Sequence, residues 1–352
     1  MKPLAIIIST AFCVFGTSCL FAPPDTDLRV FDYSSEKAVA SIPAPGYYRE
    51  ILCKNVVSGC MPKIDSAFFT MAQDGEYPNA RLILRKRDQT GGEVSRYQLP
   101  LFDSVFHAKG VYSLSSDAKR ITYWEGEKRL HVRELASGKD RVVFTLPSKE
   151  LSVEEMAWPE SGRIIFAIID VESTSVTIHV LGQDGASRQR TFTDLGYSYP
   201  GLSVSPDGKW IWCERKFKAA AGSTDSQIVL ISTDTLEVAH VVPSVKVPQQ
   251  VGHGVWSDDS KSFGFMLWSE LAATKKPADF YHYRLADKSL KHITTGIGSD
   301  ACIAIANGEI QILKNHNSVH VFSERDGSPI RVLKAPVAGF LNRIPGTTRW
   351  VY

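Results

Sequence analysis

An all-β chain built from repeats is predicted by three observations. First, segments of alternating apolar and polar residues are joined in pairs by short Gly/Asp/Ser turns, as in Leu28–Ser41, Leu130–Phe144 and Ser318–Leu333. That is the period and the turn chemistry of a β-hairpin. Second, such pairs recur along the 352 residues, seven times at a spacing of about 40–50 residues, the signature of a repeat architecture. Third, the turns between pairs share a chemistry of their own. Ser205-Pro206-Asp207-Gly208-Lys209 is the tightest copy: proline presets φ, aspartate bonds its own backbone, and glycine takes the positive-φ position. Ser115–Lys119, Pro159–Gly162 and Ser257–Lys261 are related, and Asp74-Gly75, Asn307-Gly308 and Pro345-Gly346 are weaker copies. With Asp117, Glu160, Asp207 and Asp259 taken as equivalent, the steps are 43, 47 and 52 residues.

In chain order, outer hairpins are expected at 28–42, 80–100, 130–145, 176–192, 227–242, 280–294 and 318–333, with inner strand pairs between them. The C-terminal stretch Gly339–Tyr352 reads as an inner pair with no outer hairpin after it, and the first hairpin has no inner pair before it. Joined, they complete one blade and tie down a strand edge. The expected fold is therefore all-β: a β-propeller of four-stranded antiparallel blades, seven in number, closed by N- and C-terminal strands that share a blade. Six blades plus an appended N-terminal segment is the alternative. An open solenoid fits less well, because each unit carries two hairpin turns. Blade cores are expected from Ile121, Tyr123, Ile165, Phe166, Ile211, Phe263, Phe265 and Ile312, with Trp158, Trp210, Trp256 and Trp350 as aromatic packing beside the turns.

Ahead of the repeats, Lys2 precedes an apolar run from Leu4 to Phe15, followed by Gly16-Thr17-Ser18 and Cys19. A run of about a dozen apolar residues is short for a membrane span and suits a secretory signal. The expected organisation is a signal at 1–18, a linker at 19–27 and one propeller domain over 28–352. The signal is similar to a lipoprotein signal in which Cys19 is lipidated, except that Gly16 stands where such signals carry an aliphatic residue. Export is expected, to the periplasm or tethered to the outer membrane, with secretion as the alternative; any membrane contact would run through Cys19 alone. In an oxidising compartment Cys53 and Cys60 would form a local disulfide, while Cys213 and Cys302 read as buried thiols.

The run Ser-Pro-Asp-Gly-Lys at 205–209, followed by Trp210-Ile211-Trp212, resembles the TolB-type, WD-like repeat of exported bacterial propellers. The resemblance covers nearly the whole chain after the signal, and only this copy is close to the repeat's consensus. It implies a fold, shared by binding proteins and enzymes alike.

Forty basic and 38 acidic residues leave a net charge of +2, which offers no basic excess for nucleic acid. Nucleophile elbows, phosphate-binding glycine loops and His-Glu-x-x-His signatures are missing from the sequence, so no catalytic residue, metal or cofactor is expected. His316 and His320 would lie on one strand face about 13 Å apart, too far for shared ligation. Ligand loops are expected where outer strands lead to the next inner strand and where second strands lead to third strands. Those stretches are Asp103–Gly110 with His107, Asp194–Gly201 with Tyr197 and Tyr199, Lys246–Gly254 with Gln250 and His253, and Gly296–Asp300. Two insertions, Arg215–Ser226 with Arg215 and Lys218 and Ser269–Asp279 with Lys275, stand out for their length. The leading expectation is a non-enzymatic binding or scaffold module for an envelope protein or polymer. The alternative is a propeller lyase or hydrolase acting at the channel end through His107 or His253.

Overall fold

A computed structural model of the chain describes residues 67–74, 81–99, 112–125, 128–147, 151–170, 175–183, 185–195, 202–218, 224–243, 249–269, 278–297, 303–314 and 318–334, together with strand segments at 28–32, 37–42, 51–52, 342–343 and 349–351. Cys19, Cys53, Cys60 and Cys302 lie outside these residues. Among the described residues every element is a strand, β1 to β28 in chain order.

The strands form four-stranded antiparallel sheets, the blades of a propeller. Complete runs of four consecutive strands number six, as the six-blade alternative counts them. They are β3 (Ile51–Leu52) to β6 (Glu93–Leu99), β7 (Tyr112–Leu114) to β10 (Asp140–Thr145), β11 (Leu151–Ala157) to β14 (Ser187–Phe192), β15 (Leu202–Val204) to β18 (Val238–Val241), β19 (Gln249–Trp256) to β22 (Ser289–Ile297), and β23 (Ile303–Ala306) to β26 (Pro329–Lys334). The remaining sheet takes strands from both chain ends, in the order β2 (Lys37–Ile42), β1 (Leu28–Asp32), β28 (Arg349–Val351), β27 (Asn342–Arg343). Antiparallel pairing of Val30 with Val351 and of Asp32 with Arg349 thus removes two free edges at once.

Strand alternation explains the core. In β16 (Trp210–Lys218), Ile211 and Cys213 join Ile165, Ala167 and Ile178 of the preceding sheet, while Trp212 on the opposite face joins Trp256, Phe263 and Phe265 of the following one. The β16 sheet is therefore apolar on both faces, and the cores described lie between neighbouring sheets. All eight aliphatic and aromatic core residues expected from sequence are buried. So are Trp158 and Trp256; Trp210 is half-buried against His240, and the Trp350 side chain is not among those described. Cys213 is buried as a thiol.

The turns joining first to second strands share one hydrogen-bond pattern. In three copies a serine hydroxyl (Ser115, Ser205, Ser257) donates to an aspartate two residues on at 2.6, 2.7 and 2.8 Å. The same oxygen accepts the amide five residues on, at 3.0 Å each time. The fourth turn position has positive φ, at Ala118, Gly162, Gly208 and Ser260. This register corrects two sequence equivalences. Gly162 aligns with Gly208, so Ser161, not Glu160, stands at the aspartate position, and Pro159 replaces the serine. Asp74 ends a second strand, so Asp74-Gly75 is not a copy of this turn. The turns also fasten neighbouring sheets: the Glu160 amide donates to Pro206 O (2.8 Å), the Asp207 amide to Ser260 Oγ (2.9 Å) and the Asp258 amide to Ile305 O (3.0 Å).

Candidate functional site at the loop end

In an antiparallel sheet the second and fourth strands run in the same direction, so the connections that follow them leave the same end. The turns just described occupy the opposite end. At this loop end, β16 pairs with β17 (Thr224–Ser232) over nine residues, from Trp210↔Ser232 to Lys218↔Thr224. Among the described residues the inner strand β15 pairs with β16 from Leu202↔Cys213 to Val204↔Ile211. Residues 214–218 and 224–228 therefore continue past the inner strand as a two-stranded arm.

The arm is fastened at its base. Leu195, on the connection between β14 and β15, forms an isolated antiparallel bridge with Arg215, and Asp194 pairs with the Arg215 guanidinium at 2.5 Å. This corrects the reading of Arg215–Ser226 as a loop insertion: Arg215 and Lys218 are strand residues. Charged side chains do not interrupt a strand whose ladder bonds are all made, and sequence alternation is weak where both sides are polar.

Lys246–Gly254 also differs from its reading as a loop. β19 begins at Gln249, Gln250 stands opposite Trp268, and the register slips between Gly252 and Gly254. His253 is the extra residue of that bulge, on an inner strand. Its glycines read as turn residues, yet Gly254 serves a close approach: a Cβ there would lie 1.7 Å from Trp212 Cζ2. Gly296 likewise belongs to β22, and Ser269 and Asp279 to β20 (Ser262–Ser269) and β21 (Ala278–Arg284). His107, Tyr197, Tyr199 and Lys275 lie outside the described residues.

Sequence reasoning passed over one loop-end cluster. The β21–β22 ladder slips twice near Phe280, and Gly296 has a φ of 81°. Beside that irregularity, Lys314, the last residue of β24 (Glu309–Lys314), reaches across from the next sheet. Its Nζ donates to Thr294 Oγ1 (2.6 Å) and Thr295 O (2.8 Å). Burial holds this ammonium below the usual lysine range. Opposite it in β25 (Ser318–Ser323), the Ser318 hydroxyl donates to Lys314 O (3.3 Å) and lies 3.2 Å from His320 Nε2. Burial, and then the Lys314 charge, lower the pKa of His320. Among the described residues no carboxylate forms an ion pair with Lys314. The one hint in sequence was a lysine ending a second strand.

Elsewhere, His131 sits between Glu125 Oε2 and Asp140 Oδ1, each 3.1 Å away, and stacks on Tyr123. The two carboxylates bind opposite ring nitrogens, so the trio does not converge on one point. Among the described residues no group of three His, Cys, Asp or Glu is placed to hold a metal ion.

No protein-family model matches the chain, and no curated protein matches it. Solved structures do. An oligogalacturonate lyase in complex with manganese superposes with a TM-score of 0.58 at 13% identity, covering 90% of this chain and 81% of that one. The dihydro-heme d1 dehydrogenase NirN in complex with DHE gives 0.53 at 13% identity over 92% and 66%. A TolB of Agrobacterium tumefaciens gives 0.49 at 13% identity over 94% and 98%. At these identities the likeness is one of fold, and propellers of this kind serve unrelated chemistries.

Proposed function

We propose that this chain is an exported, envelope-associated propeller that binds an envelope protein or polymer through its loop end. The observation that carries the reading is the β16–β17 arm, paired through Lys218↔Thr224 and braced by Arg215, Asp194 and Leu195. A paired arm is ordered before its ligand arrives, so little conformational entropy is lost on binding. Arg215, Lys216 and Lys218 give it positive charge. At the opposite end, turns of three successive sheets bond to the next sheet. Export, lipidation of Cys19 and a Cys53–Cys60 bridge belong to the same reading and rest on the sequence.

Crosslinking in cells, followed by purification and mass spectrometry, tests it. One dominant envelope partner, lost on charge reversal of Arg215, Lys216 and Lys218, is the expected result. Partners unchanged by substitutions at Arg215, Tyr199 and Lys275 would sink the proposal. A second reading, a polysaccharide lyase or hydrolase using His253, draws on the placement of that residue at an inner-strand bulge, since bulges re-aim side chains near active sites. Assay of purified protein with added manganese separates the two: turnover abolished by His253→Ala would favour the enzyme.

A further inference from the structure

The residue ending each second strand is split in charge around the loop end. It is Asp74 in β4 (Phe68–Asp74), Glu125 in β8 (Arg120–Glu125) and Asp170 in β12 (Ile164–Asp170), but Lys218 in β16 and Lys314 in β24, with the uncharged Ser269 in β20. Asp170 stands opposite the uncharged Ser175; Glu125 stands opposite Arg129, with which it forms an ion pair. Lys218 and Lys314 stand opposite the uncharged Thr224 and Ser318.

Lys314 is the more defined of the two. Two of its three N–H bonds go to Thr294 and Thr295, both neutral acceptors; Ser318 stands opposite Lys314 in the ladder and lies 3.2 Å from His320 Nε2. A half-buried ammonium with only neutral acceptors is a charge awaiting an anion. We propose that Lys314, Ser318 and His320 form a seat for the carboxylate of a uronate unit in an anionic polysaccharide, with the Lys216/Lys218 arm meeting a further stretch of the same polymer. This rests on the reading of the loop end as a binding surface and names its ligand class. The ammonium is drawn down onto β22, in the seam between two sheets. A slender chain bearing a carboxylate on every unit can follow such a seam. Cations on two separate blades of one rim suit a polymer with regularly spaced charge.

The experiment is calorimetric titration of the full chain at low salt with a galacturonate oligomer, using neutral dextran and poly-glutamate as comparators. The wild type should bind the uronate oligomer and not dextran. Lys314→Gln should weaken binding by about tenfold or more, the worth of a hydrogen bond to a charged group, and Lys314→Arg should restore most of it. His320→Gln leaves the Thr294 and Thr295 bonds intact, so it should weaken binding by about threefold with unchanged thermal unfolding; it decides the matter should Lys314→Gln fail to fold. Wild-type affinity in His320→Gln and Lys314→Gln, with loss only in a Lys216→Gln/Lys218→Gln variant, overturns the seat and leaves the loop-end reading standing. No uronate binding by the wild type, or tighter binding of poly-glutamate, overturns the polysaccharide assignment. Uronate binding that no variant alters overturns both the seat and the loop-end reading.

Discussion

His179 makes the stability of this propeller depend on pH with a sign and size that the structure sets. It lies in β13 (Ser175–Leu181) opposite Phe166, stacked at 4.8 Å with an interplanar angle of 2°, and meets the edge of Phe144 at 5.0 Å. Only 4% of its surface is exposed, and Nδ1 has no hydrogen-bond partner. Burial in this aromatic seam lowers its pKa from 6.5 to about 4. Between those values the unfolded chain binds a proton that the folded chain refuses. The contribution is therefore intact above the unfolded pKa and is lost as pH falls through the window. The full shift corresponds to about 3 kcal/mol, of which about 1.4 is lost by roughly pH 5.5 and about 2.5 by roughly pH 4.5. His179→Phe keeps a ring in the stack and removes the titration. Urea unfolding of both proteins at roughly pH 7.5 and 4.5 should show the wild type losing about 2.5 kcal/mol more than the variant. Equal losses would refute the assignment of a neutral, proton-excluding imidazole to this seam.

Three further outcomes follow from the packing. Gly254→Ala and Gly264→Ala would place a Cβ 1.7 Å from Trp212 Cζ2 and 2.1 Å from Phe280 Cζ; each should cost about 1–3 kcal/mol in chemical denaturation, whereas Gly185→Ala, with open space but a φ of 84°, should cost about 1. Trp256→Phe removes the 3.1 Å bond from its indole N–H to Ser203 O on the neighbouring sheet and should cost about 1 kcal/mol with loop-end binding unchanged. Asp194→Ala unfastens the base of the arm. Because the Asp194–Arg215 pair is partly exposed, the melting temperature should barely move, but limited proteolysis between residues 218 and 224 should quicken.

Much of the architecture was legible along the chain because each hairpin is a local object. Alternation and turn chemistry placed the outer hairpins within a few residues of β1–β2, β5 (Arg81–Arg87)–β6, β9 (Arg129–Glu134)–β10, β13–β14, β17–β18, β21–β22 and β25–β26, and the unpaired terminal strands pointed to the sheet that joins β1 to β28. Local reading went astray where a residue's role depended on a distant partner. Gly252 and Gly254 looked like a loop because their sequence neighbours say nothing of the Trp212 ring that demands a glycine. Glu160 was aligned by its charge, and only the positive φ of Gly162 shifted the register by one. Arg215 was legible as a loop-end cation, but not as a strand residue bridged to Leu195. Lys314 was invisible, being one lysine among many until the next sheet brought Thr294 and Thr295 to it. Period and turn type are written in consecutive residues, so the sequence by itself determined the hairpins and the four-stranded type of blade they build. The bonds from Lys314 to Thr294 and Thr295 and the approach of Gly254 to Trp212 are relations between neighbouring blades, and only the closed tertiary structure decided those.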